Sequence, residues 1–177
     1  MMSNDFCASL GDELRRAAAE VPHRPFIRMA AGEWSYGQFD AETDRLAAGL
    51  HAQGVRRGDN VSLMLPNCIE LALLWFALSK LGAAAAPVNT SFRGPVLADA
   101  VNLVQSRLAV VHADLLEPWQ QVRGSLVSVS QVFLLGAAQG LLPGCEPYER
   151  LRSVQADGDT LPRPQVGFEE TCLLLYT

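Results

Sequence analysis

The stretch VSLMLPNCIELALLWFALSKLGAAAAPVN, from Val61 to Asn89, decides the fold. It opens on a short apolar run, VSLML at 61–65, and turns at Pro66-Asn67. A helical pattern from Ile69 to Leu81 follows, closed by Gly82, and a second short apolar run, AAAPV at 84–88, ends the unit. Two short runs joined by a helix of this length read as a βαβ unit, because parallel strands need a crossover of a dozen or more residues. Both runs are almost continuously apolar rather than alternating, as expected of strands covered on both faces.

Working outward, the pattern repeats towards the C-terminus with LAVV at 108–111 and VFLL at 132–135. Helical patterns lie between the runs, one over Pro95–Gln105 with Pro at its first position and a weaker one over Leu115–Arg123. The expected class is therefore α/β, a parallel sheet with helices on both faces, part of a doubly wound unit. The Ile69–Leu81 helix is apolar nearly all round and should lie between the sheet and a further layer, which the chain does not obviously supply. A short acidic helix is expected near Glu146–Leu151. The stretch SVQADGDTLPRPQVGFEE at 153–170, with Gly158, Pro162 and Pro164 and no apolar periodicity, reads as a linker. It is followed by one last strand, CLLLYT, at the chain's end.

Towards the N-terminus, FIRMAAGEWSY at 26–36 has the look of a hairpin. It leads into a helix whose start is marked by Ser35 and Gln38 as a capping box. Phe39, Thr43, Leu46 and Leu50 share one face of this helix, and Gly54 supplies the left-handed residue that ends it. The chain divides on this reading into a helical lead-in at 1–25, a sheet unit at 26–152, a linker at 153–170 and a terminal strand at 171–177.

Of the residues, 49% are apolar and 19% charged, so the chain can bury enough surface to fold. The net charge of -5 is spread in mixed-sign clusters with no basic run or aromatic-interleaved patch, which excludes the usual nucleic-acid footprint. No apolar run approaches the ~20 residues of a membrane span, and no leader pattern opens the chain, so a cytoplasmic location is expected. Cys7, Cys68, Cys145 and Cys172 are too far apart for a CxxC pair and have no histidine at ligand spacing. They are expected as reduced thiols, three of them in the core, and no metal site is expected. His23, His51 and His112 are isolated and read as surface or satisfied histidines.

The sequence has no G-x-G-x-x-G after a strand, no G-x-x-x-x-G-K-[ST] and no G-x-S-x-G, which removes dinucleotide, Walker-type and serine hydrolase readings. A flavodoxin-like or oxidoreductase reading is disfavoured with them. Three blocks do carry a resemblance. WSYGQFDAETDRLAAGLHAQGVRRGDNVSLMLPN, LALLWFALSKLGAAAAPVNTSFRGPVLADAVNLVQSRLAVV and EETCLLLYT resemble, in this order, the opening blocks of the adenylate-forming superfamily. That superfamily includes acyl-CoA synthetases, luciferases and peptide-synthetase adenylation domains. Pro-Val-Asn at 87–89 leans towards the acyl-CoA synthetase type.

The resemblance implies an enzyme that joins a carboxylate to ATP with Mg²⁺, releasing pyrophosphate, and then passes the acyl group to CoA. It also implies that CLLLYT runs into a Ser/Thr/Gly-rich loop that cradles the ATP phosphates, of which Thr177 is the first residue. Thr177 is thus the one candidate cofactor-binding residue, and no residue is assigned to catalysis or metal binding. Lys80 does not match the family's catalytic lysine. Arg93 and Arg107 are expected on the surface, Asn67 as a helix cap, Gly54, Gly58 and Asp59 in a turn, and Trp34 and Tyr36 in the core.

The chain alone is therefore expected to be inactive, to bind none of ATP, Mg²⁺ and CoA, and to self-associate through exposed apolar surface. The alternative from another class is a stand-alone, non-catalytic α/β module that binds or regulates a partner.

Overall fold

Helix formation starts where side chains satisfy the first-turn amides. The structure, a computed structural model, describes residues 9–30, 32–136, 143–154, 166–167 and 169–176. Helix α1 (Leu10–Glu20) is capped by the Ser9 hydroxyl, which accepts from the Asp12 amide at 3.1 Å. Strands β1 (Pro25–Met29) and β2 (Gly32–Ser35) form the expected antiparallel hairpin. Helix α2 (Tyr36–Ala52) begins with the full capping box: Gln38 N–H donates to the Ser35 hydroxyl at 3.3 Å, and Ser35 N–H donates to Gln38 Oε1 at 3.0 Å. Gly54, at φ 90°, turns the chain out of it.

A regular alternation follows: β3 (Asn60–Met64), α3 (Ile69–Lys80), β4 (Ala84–Pro87), α4 (Gly94–Leu103), β5 (Leu108–His112), α5 (Leu116–Val122) and β6 (Gln131–Leu135). The sheet is wholly parallel, in the order β4-β3-β5-β6 with β7 (Glu146–Pro147) outside β6. Helix α6 (Glu149–Arg152) follows β7. The order reverses at β3, which has β4 on one side and β5 on the other, so this is the doubly wound arrangement.

The sheet faces divide the core by strict alternation. Leu108 and Val110 of β5 join Phe133 of β6 in a cluster with α1, α2, α3 and α6. Ala109 and Val111 join Val132 and Leu134 in a second cluster with α4 and α5. Both faces are thus covered, which is why these strands read as unbroken apolar runs.

Four expectations are corrected. The acidic helix at Glu146–Leu151 is shorter, because Glu146 and Pro147 pair with Phe133 and Leu134 as an edge strand. An edge position is the one a proline tolerates. Asn67 does not cap α3: Cys68 is the N-cap residue, with no side-chain cap bond. The terminal CLLLYT is not a full strand among the described residues. It makes one parallel bridge, Ala85 with Leu173, through Ala85 N–H to Cys172 C=O at 3.1 Å and Leu174 N–H to Ala85 C=O at 2.8 Å.

Finally, the layer that α3 requires is present, because α1, α2 and the β1–β2 hairpin pack on it. Phe76 of α3 stands edge-on to Phe39 of α2 and Phe26 of β1. None of the strongly exposed large apolar side chains belongs to α3. Most of the expected 153–170 linker lies outside the described residues. No described helix is long and apolar enough to cross a membrane.

Candidate functional site

All strands of the parallel sheet end at one pole, and open α/β sheets bind ligands at that pole. Here the chain leaving β3 (Leu65, Pro66, Asn67) and the chain leaving β4 (Val88, Asn89, Thr90) flank a cavity of about 440 Å³. Leu71 in the first turn of α3 contributes to its wall, and Leu175 and Tyr176 close another side. Leu65 and Val88 are buried, whereas Asn67 and Asn89 are exposed to solvent.

Some of the polar capacity in the lining is already used. Asn89 Oδ1 accepts from Ser91 N–H at 2.9 Å, and Thr90 C=O accepts from the Arg93 guanidinium at 2.6 Å. The Tyr176 hydroxyl donates to Ala100 C=O at 2.8 Å, and burial pushes its pKa above the ordinary phenol value. What faces the cavity is a neutral surface of aliphatic side chains with amide and hydroxyl groups. It suits an uncharged moiety.

A magnesium triphosphate does not fit this lining. Among the described residues that form it there is no Arg, Lys, Asp or Glu. Among the described residues no group of three or more His, Cys, Asp or Glu could hold a metal ion. No chemical step can be routed through ATP or Mg²⁺ on these side chains.

Titratable groups cluster on the α2–α3 side of the sheet instead. The Tyr148 hydroxyl is buried without a hydrogen-bond partner. Burial first, and then the Glu70 carboxylate, hold its pKa far above the ordinary range. Burial likewise pushes the Cys68 thiol up, so it is a poor nucleophile. Glu42, nearly buried, accepts from Arg152 at 2.5 Å and pairs with Arg45 at 3.2 Å, tying α6 to α2.

Lys80 is the most unusual charge in the chain. Its side chain is wholly buried at the end of α3, and Nζ lies 2.6 Å from both Asp40 Oδ1 and Asp44 Oδ1 and 2.9 Å from Asp40 C=O. Asp40 and Asp44 sit one turn apart on α2, so the three residues pin α2 to α3. Gly11 of α1 rests directly on the lysine: a Cβ there would approach Lys80 Cγ to 2.7 Å. This is a packing device. The signal for it was present in the sequence as a lone lysine in an apolar helix and a carboxylate pair at i, i+4.

The other candidates fall as follows. Thr177 lies outside the described residues. Arg93 bonds Thr90 and Phe92 carbonyls in its own turn, whereas Arg107 bonds the Gln53 carbonyl at 3.2 Å and ties the start of β5 to the end of α2. Trp34 and Tyr36 pack, half-buried, on the first core cluster. Cys145 is buried, Cys68 and Cys172 are half-buried, and all three are free; Cys7 lies outside the described residues. His112 Nδ1 accepts from Asp114 N–H at 3.2 Å, which satisfies it. Sequence reasoning missed the cavity, although its Pro-Val-Asn wall was part of the quoted resemblance.

Known proteins share this arrangement. The chain is 27% identical over 146 residues to the crotonobetaine/carnitine–CoA ligase of Salmonella paratyphi A, a match that covers 82% of this chain and 28% of the relative. It is 29% identical over 174 residues to the medium/long-chain-fatty-acid–CoA ligase FadD6 of Mycobacterium tuberculosis, covering 96% of this chain and 27% of that one. Among solved structures, the N-terminal domain of FACL13 from Mycobacterium tuberculosis superposes with a TM-score of 0.82 at 26% identity, over 96% of this chain and 41% of the other. The chain thus spans little more than a quarter of the length of these ligases. The family described as AMP-binding enzyme matches residues 14–177, and the chain belongs to that family.

Proposed function

We propose that this chain forms the first part of an ATP-dependent acyl-CoA synthetase. The complete reaction would join a carboxylate to ATP, giving an acyl-adenylate and pyrophosphate. The CoA thiol would then displace AMP to give the thioester. The 177 residues contribute the sheet and its covering helices, and the chemistry belongs to residues outside them.

The observation that carries this reading is the course of the terminal segment. It lies parallel to β4, so it reaches the carboxyl pole beside the cavity, where a following loop would meet a ligand. The two relatives, both CoA ligases, support the reaction class. Their acyl groups differ, and the substrate of this chain is left at a carboxylic acid. The role of Thr177 as the first phosphate-binding residue belongs to the same proposal.

The test is ATP–pyrophosphate exchange with a panel of carboxylic acids. It is run on the 177-residue chain and on the polypeptide translated from the intact reading frame. Exchange is expected from the longer polypeptide and not from the shorter one. Robust exchange by the 177-residue chain overturns the division of labour. A reading frame that stops at Thr177, with no exchange, returns the chain to the class of binding modules.

A further inference from the structure

Lys80 is the only lysine in the sequence, beside thirteen arginines. Lysine is normally a surface residue, yet this one is wholly buried. It is therefore the one side-chain amine that an acyl donor could modify, and the fold hides it.

Two features close it. The first is charge pairing. An ammonium has three N–H bonds and no acceptor, and here Nζ faces three oxygens: Asp40 Oδ1 and Asp44 Oδ1 at 2.6 Å and the Asp40 carbonyl at 2.9 Å. In that state the nitrogen has no lone pair to offer a carbonyl carbon. The second feature is α1. Gly11 lies so close that a Cβ there would stand 2.7 Å from Lys80 Cγ and 3.0 Å from both its Cα and its backbone nitrogen. Gly11 N–H also donates to the Ser79 hydroxyl at 3.3 Å, and Leu14 and Ala18 are buried along the same helix. Arg15 of α1 approaches Asp44 Oδ1 to 3.9 Å, so α1 covers the carboxylate side as well.

We propose that Lys80 is a concealed acylation site, which reacts with a carboxylic–phosphoric mixed anhydride only while α1 is lifted and whose amide product keeps α1 from docking again. In the reaction the unprotonated amine attacks the carbonyl carbon. A C–N bond forms, the C–O bond to phosphate breaks, phosphate leaves with the electron pair, and the nitrogen gives its extra proton to water. The product has one N–H instead of three and no charge, so the two carboxylates lose the cation between them. It also brings an acyl group to a site already closed to one added methyl carbon, and overfilling a packed interior is destabilising. Both effects oppose the docked helix and leave the sheet in place.

An acyl-adenylate belongs to this donor class, so the link to the chain's own reaction rests on the synthetase reading. The test is independent of that reading, because it supplies acetyl phosphate as the donor and needs no exchange activity.

The folded chain is incubated with acetyl phosphate, treated with hydroxylamine to remove esters and thioesters, and mapped by peptide mass spectrometry. Arg28→Lys supplies an amine at an exposed hairpin position as the rate standard. Hydrogen exchange of the α1 amides reports docking, and that of β3 and β5 reports the sheet. Lys80 should react roughly 10- to 1,000-fold more slowly than the standard, as a minor open state requires. That ratio should match the open fraction read from α1 exchange. Gly11→Ala should raise the Lys80 rate about tenfold, through overpacking against the lysine, and leave the standard unchanged. Chain acetylated at Lys80 in urea and returned to buffer should exchange its α1 amides freely while β3 and β5 stay protected.

A Lys80 rate equal to the standard, a ratio that does not follow α1 opening, or an acetylated chain with α1 still protected each overturns the proposal. So does an acetylated chain that loses β3 and β5 together with α1. If Gly11→Ala itself frees β3 and β5, the comparison of Lys80 reactivity with α1 exchange in the unsubstituted chain decides.

Discussion

The buried Lys80 can be tested by cutting its ion-pair cluster from either side, and the two cuts should differ in cost. The lysine side chain is 0% exposed, while the Asp40 and Asp44 side chains are 20% and 27% exposed. Replacing Asp40 and Asp44 by Ala leaves an ammonium in the core with one carbonyl as acceptor, and an uncompensated buried charge costs about 3–5 kcal/mol. Better helix propensity at the two sites offsets about 1 kcal/mol of that.

Lys80→Met keeps the unbranched stem on which Gly11 rests and removes the group that needed partners. The two carboxylates retain contact with water, and their i, i+4 repulsion adds only about 0.2–0.5 kcal/mol. A swap of similar volume costs less than about 1.5 kcal/mol. The lysine variant should therefore be the milder one, by about 1–2 kcal/mol at the middle of these ranges. Urea unfolding followed by circular dichroism measures both, with the slope unchanged and the midpoint moved. If Lys80→Met proves as damaging as the double aspartate variant, the cluster is not held by the need to pair a buried cation, and the reasoning fails.

Three further predictions concern single contacts. Gly49→Ala would place a Cβ 1.8 Å from the Leu151 carbonyl oxygen, so α6 must leave α2. The Tm should fall steeply despite the gain of about 1 kcal/mol in helix propensity, and an unchanged Tm refutes the close approach. Ser35→Ala removes half of the capping box and should cost about 1 kcal/mol in a urea titration.

Tyr148→Phe deletes a buried hydroxyl that has no partner, so stability should hold or rise, by up to about 1 kcal/mol. The same residue has a sign in pH. Its folded pKa is raised, so the unfolded chain releases the proton first and stability falls as pH climbs past about 10, the ordinary phenol value. Tyr148→Phe should flatten that alkaline decline, and an unaltered profile counts against the assignment.

The legible part of the fold was the part encoded by periodicity. The runs at 61–65, 84–88, 108–111 and 132–135 became β3 to β6, because burial on both faces writes a continuous apolar signal. The Ser35/Gln38 box was read because two side chains at fixed spacing satisfy two named amides. Glu146-Pro147 was illegible because a two-residue edge strand has no period. Its place comes from pairing with Phe133 and Leu134, which lies in the partner's sequence. The cover over α3 was also illegible, since an all-round apolar helix shows that a second layer is needed without naming it. That layer comes from α1, α2 and the hairpin, which precede α3 in the chain.

The site was less legible than the fold for a related reason. A cavity between chain segments is a property of several loops at once. Asn67, Asn89 and Tyr176 are separated widely in sequence and meet only because β3, β4 and the terminal segment end at one pole. Singly, Asn67 suggested a cap, Asn89 a strand end and Tyr176 only part of a last strand. The Asn67 assignment failed in an informative way, because α3 starts at Ile69 as expected but has Cys68 at its cap, which leaves Asn67 to line the cavity. A polar residue that misses its expected local bond at the carboxyl end of a parallel strand is therefore the signal to follow in such sequences. Here it leads to a neutral pocket walled on one side by Leu175 and Tyr176.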